Sequence, residues 1–244
     1  MTLHLDDIDR LGAVLTVWAH PDDETYLAGG LMAAASAVGQ RVACVIATAG
    51  EHGTSDPTRD PPAALAARRR RELQQAMAKL GVHEHVVLGA PDGGCAELRD
   101  HAPIDRLVRC IEQFAPDTIV TFGPDGITGH PDHRTVSRWV DLAIAAADQP
   151  TPRLLHATMT PEYVEEFADI DEMLGVYVDL DDGPVTTRRD ALGAELVLGP
   201  YLLARKLAAL RSHASQTDVV FDMLGMQRMA DWVRVEAFVD PNGP

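Results

Sequence analysis

Four times in the first half of the chain, a short apolar run stops at a cluster of Gly, Pro, His and acidic residues, and a helix-forming stretch follows. The runs are Ala13 to Ala19, Arg41 to Ala47, His85 to Leu88 and Thr118 to Phe122. Apolar, β-branched segments of this length read as strands buried on both faces. Strands alternating with helices imply a parallel sheet with helices on both faces. The expected architecture is therefore a Rossmann-like, mostly parallel α/β sheet in a single domain spanning 1–244. Ligands of such sheets bind beyond the carboxyl ends of the strands, near the point where strand order reverses. The polar clusters at the four strand ends thus share one expected rim.

The intervening helices are expected over Leu27 to Val38, Ala63 to Leu80, Pro103 to Phe114 and Arg134 to Ala147, several of them stopped by glycine. Beyond Pro150 the pattern is looser. Arg153 to Met159 reads as a fifth strand, Thr160-Pro161-Glu162 opens a short helix, and Val176 to Leu180 reads as a further strand. Thr186 to His213 reads as largely helical with a break at Gly199-Pro200, and Val233 to Val239 as a closing edge strand. Thr54 to Pro62, with three prolines, reads as an irregular loop and a candidate lid.

Charge removes several functional classes. Lys and Arg number 21 against 37 Asp and Glu, a net charge of −16. That field repels phosphate backbones and anionic membranes, so nucleic acid and membrane surfaces are poor partners. Cys44, Cys95 and Cys110 are odd in number and lack CxxC spacing, which points to reduced thiols in a cytoplasmic protein. No basic leader and no apolar run of membrane-spanning length is present. A small molecule is the expected partner, with the C-terminal third as the candidate surface for a homo-oligomer.

The densest chemistry lies in Ala19-His20-Pro21-Asp22-Asp23-Glu24, at the end of the first strand, and in Gly129-His130-Pro131-Asp132-His133, after the fourth. Two His-Pro-Asp turns on separate crossovers of one sheet supply six ligand-type groups: His20, Asp22, Asp23, His130, Asp132 and His133. A catalytic zinc takes three nitrogen or oxygen ligands and keeps a position for water. Hydrolysis then needs a carboxylate to accept the water's proton and a donor to meet the oxyanion. These residue types suit water attack on a carbonyl, and the pattern alone leaves open whether His130 or His133 ligates.

These two segments resemble the paired signatures of the LmbE-like/PIG-L zinc-dependent N-deacetylases, whose members remove acyl groups from amino sugars and related amides. Arg69 and Glu72, Leu80-Gly81, Pro91-Asp92-Gly93, and Lys206 to Gln216 with His213-Ala214-Ser215-Gln216 are also similar. The likeness is strong to about Ala147 and loose thereafter. It implies Zn2+ held by His20, Asp23 and His133, with Asp22 as general base. It further implies a protonated His130, hydrogen-bonded to Asp132, as the oxyanion donor. Arg69, Asp92, Glu51 and His213 become candidate substrate contacts. Thr128 stands where some members carry a tyrosine, which argues against a tyrosine-assisted variant of the chemistry.

Residues 1–150 then form the metal-site core, and 151–244 complete the pocket. The expected activity is hydrolysis of an N-acyl, most simply N-acetyl, amino sugar or glycoside. A rival within the class is an amidase acting on a thiol-sugar conjugate or a natural-product intermediate. A rival outside it is a sugar-binding protein with a structural metal, which requires four closed ligands and so needs His130 or Asp132 to ligate.

Overall fold

The structure, a computed structural model, describes residues 3–54, 56–98, 101–180 and 183–243. Its centre is a seven-stranded sheet in the order β3-β2-β1-β4-β5-β7-β6. The strands are β1 (Val14–Trp18), β2 (Val42–Thr48), β3 (Glu84–Ala90), β4 (Thr118–Phe122), β5 (Arg153–Thr158), β6 (Ala194–Val197) and β7 (Val235–Val239). β1 to β5 run parallel, and β7 pairs antiparallel with both β5 and β6. β1, β2 and β4 are buried at every position, as strands covered on both faces must be.

The helices are α1 (Asp23–Ala37), α2 (Pro62–Leu80), α3 (Ala102–Phe114), α4 (Pro131–Ala146), α5 (Pro161–Glu166), α6 (Ala168–Leu174), α7 (Pro200–Leu210) and α8 (Ala214–Trp232). α1, α2 and α7 pack together, and α3 packs with α4. The chain winds outward from β1 through α1 and α2 to β3, then returns to place β4 on the other side of β1. Right-handed crossovers in opposite directions put the two helix groups on opposite faces and open a crevice between the ends of β1 and β4. Both His-Pro-Asp turns emerge there.

The C-terminal third departs from the sequence expectation in four places. Residues 176–180 form no strand. The segment lies across the turn after β4, where the Val178 amide bonds the Thr128 carbonyl at 2.7 Å. Gly129, at φ 82°, permits this approach, since a Cβ there would fall 1.8 Å from the Val178 carbonyl oxygen. Residues 186–198 form no α-helix: a single 3-10 turn at Arg189–Ala191 precedes the edge strand β6. Ala, Leu and Glu favour helix as isolated residues, yet pairing with β7 buries Ala194 and Leu196 on one face and overrides that preference. β7 consequently lies inside the sheet rather than at its edge. α8 was not anticipated at all. Its periodicity is blurred by a kink at Gly225 and by exposed Val219, Met223 and Met226. Within the Thr54 to Pro62 loop, Ser55 lies outside the described residues.

One interior ion pair fastens the late elements to the early ones. Lys206 on α7 and Glu236 on β7 are fully buried, with Nζ and Oε1 2.7 Å apart. The same carboxylate accepts the Gly30 and Leu31 amides of α1 at 2.6 and 2.7 Å. Removing one member of such a pair leaves an uncompensated charge in a dry interior. We therefore expect Glu236→Ala to lower unfolding stability by about 3–5 kcal/mol in urea titrations. A change under about 1 kcal/mol would mean that the Lys206 ammonium reaches water.

Candidate metal centre and catalytic site

Asp23 is the first residue of α1, and its Oδ2 accepts the His20 amide at 2.8 Å, which pins the turn between strand and helix. The same oxygen lies 3.4 Å from Nδ1 of His20 and 3.4 Å from Nε2 of His133. The two ring nitrogens are 3.3 Å apart. Three ligand-type atoms therefore form a near-equilateral triangle. Tetrahedral ligands at about 2.0–2.1 Å from a zinc ion are about 3.3–3.4 Å from each other.

The outward nitrogens fix which lone pairs face inward. Nε2 of His20 meets Asp92 Oδ1 at 3.1 Å and Asp132 Oδ2 at 3.2 Å, so it carries the proton and leaves Nδ1 free. Nδ1 of His133 meets the Gly126 carbonyl at 3.0 Å and Thr128 Oγ at 3.1 Å, which leaves Nε2 free. Partners of this kind set tautomer and ring orientation in metal sites. Burial, partly opposed by Asp23, brings His133 down to about 4, so it is neutral and available as a ligand. Burial would depress His20 as well, but hydrogen bonds to the carboxylates of Asp132, Asp23 and Asp92 hold it well above its ordinary value. A field that favours a proton favours a cation. Two lone pairs and a carboxylate oxygen aimed at one point fit a divalent ion.

Two further triples also converge: His20, His130 and His133, and His20, Asp92 and Asp132. Hydrogen bonding decides among them. The carboxylates of Asp92 and Asp132 sit on the outer nitrogen of His20, away from the triangle. Asp132 Oδ2 also accepts the Gly93 amide at 2.8 Å, and Oδ1 accepts the Cys95 amide at 3.0 Å. Nδ1 of His130 accepts the amide of Asp132 at 3.1 Å, so a neutral His130 carries its proton on Nε2.

Asp132 thus meets His130 through its amide, while its carboxylate meets His20. Burial and the neighbouring His20 both lower the basicity of His130. Losing an outer partner of a ligating histidine typically weakens metal binding 10–100-fold. Asp132→Asn should accordingly raise the zinc dissociation constant by about that factor in competition titrations. Unaltered affinity would show that the amides of Gly93 and Cys95 hold the site without the charge.

Asp22 adopts φ 124°, a strained backbone for a residue with a side chain. Its amide donates to Glu24 Oε2 at 2.8 Å, and its carbonyl accepts the Thr25 and Tyr26 amides at 2.9 Å each. The strain turns its carboxylate toward Arg69, whose Nη2 is 3.3 Å away. Burial raises the affinity of this carboxylate for a proton, and Arg69 opposes the shift. Asp22 is thereby held beside the triangle without belonging to it.

The structure relocates several candidate substrate contacts. Arg69 alone of the run 68–71 turns inward and is 3% exposed. It bonds the Gly50 and Pro21 carbonyls as well as Asp22. Gly50, at φ 63°, leaves room for this, since a Cβ would lie 2.2 Å from Arg69 Nη1. Buried in this way, Arg69 meets Asp22 and two backbone carbonyls. His213 is fully buried, with Nε2 2.8 Å from Glu24 Oε1. It too faces Asp22 only through Glu24. Asp92 Oδ2 accepts the His52 amide at 2.7 Å while Oδ1 faces His20, and Glu51 accepts the Asp92 amide at 3.1 Å. These two brace the turn beneath His20.

Glu24 stands in the first signature but outside the six ligand-type groups. Its one distinguishing signal is that it is a third consecutive acid. That it is wholly buried, with Asp22 on one oxygen and His213 on the other, is a fact of the folded chain.

A Rossmann-like sheet with a His-Asp-His triangle at its switch point defines an α/β protein with a metal-capable site. The family model described as PIG-L, GlcNAc-PI de-N-acetylase, matches residues 15–144. The chain belongs to that family. A 1D-myo-inositol 2-acetamido-2-deoxy-alpha-D-glucopyranoside deacetylase of Streptomyces avermitilis is 32% identical over 257 residues, covering 84% of this chain and 83% of the relative. Among solved structures, N,N'-diacetylchitobiose deacetylase from Pyrococcus horikoshii superposes with TM-score 0.65 at 23% identity, over 96% of this chain and 85% of that one. GalB, a 4-carboxy-2-hydroxymuconate hydratase from Pseudomonas putida, gives TM-score 0.63 at 17% identity, over 96% and 97%. The fold is thus shared by enzymes of more than one reaction. Among the described residues no helix is long and apolar enough to cross a membrane.

Proposed function

We propose that this protein is a zinc-dependent N-deacetylase that cleaves the amide of an N-acyl amino sugar or glycoside to a free amine and a carboxylate. The observation that carries the reading is the triangle of His20 Nδ1, Asp23 Oδ2 and His133 Nε2, with edges of 3.3–3.4 Å and Asp22 beside it, in a chain of the de-N-acetylase family. Zinc held by these three residues would act as a Lewis acid that polarises the amide carbonyl and acidifies the attacking water.

The remaining work falls to the chain. Asp22 takes a proton from the water as its oxygen attacks the carbonyl carbon. Arg69 and the strained backbone keep that carboxylate oriented. His130 donates its Nε2 proton in a hydrogen bond to the developing oxyanion. Asp22 then returns the proton to the nitrogen as the carbon–nitrogen bond breaks.

A structural metal in a sugar-binding protein needs a fourth protein ligand. Asp132 is committed to His20 and two amides, and His130 presents a protonated nitrogen, so neither is placed to close the site. The reading includes a cytoplasmic location, in keeping with free Cys44, Cys95 and Cys110, and self-association, for which the exposed strip Val219, Met223 and Met226 is the surface to examine. The deciding experiment is amine release from N-acetylglucosamine and its glycosides by the zinc-loaded protein beside a chelated control. Release that is indifferent to chelation, or none from any N-acyl sugar, would overturn the proposal.

A further inference from the structure

A cavity of about 360 Å3 opens directly off the triangle, touching Asp22, Asp23 and His133. Most of its other walls come from the C-terminal third, with Tyr26, Leu27, Ile127 and Thr128 added from the first half. An acetyl group has three non-hydrogen atoms. At roughly 30 Å3 each, the cavity holds about a dozen. The acetyl group alone leaves most of this space unfilled.

The character of the walls narrows what fits. Tyr26, Met159, Leu174, Val176, Val220 and Trp232 give them an apolar and aromatic lining. Most of the polar side chains there are already engaged, although the buried Trp232 Nε1 has no hydrogen-bond partner among the described residues. The Tyr177 hydroxyl donates to Asp171 at 2.8 Å, and that of Tyr163 donates to the Trp232 carbonyl at 2.9 Å. Glu236 is taken by Lys206 and two amides, and Thr158 pairs with Thr187 at 2.8 Å. A second polyhydroxylated ring placed here would give up its water for few partners, and unpaired buried hydroxyls are penalised. Alkyl or aryl carbon would not be.

We propose that this cavity binds an alkyl or aryl group of about eight to ten carbons carried by the substrate close to its amide, so that the preferred substrate is an amphiphilic N-acyl amino sugar. The proposal deepens the deacetylase reading and rests on it for the identity of the reacting group. The apolar group has two possible sources, a long N-acyl chain or an apolar aglycone, and the test separates them.

Amine release is measured for N-acetylglucosamine, N-octanoylglucosamine and the octyl glycoside of N-acetylglucosamine. One of the octyl substrates should exceed N-acetylglucosamine by about 100-fold or more in kcat/KM, rising about fourfold per methylene over the first few carbons. The one that does identifies the source. Val176→Asp and, independently, Val220→Asp should abolish that preference, lowering kcat/KM for the octyl substrate far more than for N-acetylglucosamine. Binding of 1-octanol, which has neither sugar nor amide, is followed in parallel by calorimetry and tryptophan fluorescence in the wild type and both variants. Octanol binding that is lost in the variants supports the cavity assignment even if no sugar amide is cleaved, in which case only the deacetylase reading fails. Cleavage of N-acetylglucosamine with no gain from either octyl group and no octanol binding overturns the cavity assignment and leaves the deacetylase reading standing.

Discussion

Replacing Asp22 by Asn is expected to leave zinc bound and to lower amide hydrolysis by about 10²–10⁴-fold, the usual contribution of a positioned general base. Both halves of this outcome come from the geometry. Metal retention follows because the triangle is closed by His20, Asp23 and His133, and Asp22 reaches none of its edges in the contacts found. Loss of turnover follows because Asn is nearly the same shape and still faces Arg69 but has no basic oxygen. Amine release and metal content, measured on the same preparation, check it. Unchanged turnover would remove Asp22 from the chemistry. Lost zinc would move it into the ligand set.

His133→Ala is expected to abolish stoichiometric zinc binding and to lower activity by roughly 10³-fold or more, since the Lewis acid contributes several kcal/mol to the barrier. Only two inward-facing ligands would remain, fewer than catalytic zinc sites use. Chelation of the wild type should reproduce the loss, and added zinc should reverse it there but not in the variant. Stability offers a readout independent of catalysis. At free zinc about 1,000 times its dissociation constant, the wild type should gain roughly 4 kcal/mol over the chelated protein, and His133→Ala should gain little. His133 is also buried and stacked on Phe122 at 4.1 Å, so the variant is compared with its own chelated form to separate packing from metal loss. Full zinc occupancy in the variant would mean that His130 or Asp132 ligates after all.

The network behind Asp22 shows how the family signature is supported by residues far away in sequence. Glu24 holds the Asp22 amide in its strained turn, and His213, at the start of α8, holds Glu24. Glu72 of α2 meets the same corner, accepting the Ser215 amide at 3.0 Å and the Ser215 hydroxyl at 2.6 Å. The His-Ala-Ser-Gln segment therefore reaches the chemistry by fixing a backbone angle. Its last residue, Gln216, lines the cavity beside the triangle.

Much of the first half was legible because local rules and tertiary structure agree there. β4 falls on Thr118–Phe122 as read, and the ends of β1 and β2 shift by a residue or so, because a strand buried on both faces writes an unbroken apolar run into the chain. Beyond Pro150 the agreement ends. The edge strand β6 is spelled in residues that favour helix, and α8 lacks a clean apolar stripe. Pairing with β7 and the Gly225 kink decided those elements, and neither is visible in a local window.

The sequence alone determined that two His-Pro-Asp turns lie at strand ends on one rim, because strand length, proline and acid placement are local properties of the chain. It supplied the six ligand-type side chains, and only the family resemblance ranked them. The folded chain gives that ranking a physical reason, through which nitrogen of each histidine meets an outer oxygen or amide and therefore which lone pair faces inward. That choice is made by atoms from β1, α1, the turn before α4 and the 91–95 turn, brought within 3–4 Å of each other by the crossover between β1 and β4. Hydrogen bonds act over a few ångströms of space, and sequence separation carries no record of them.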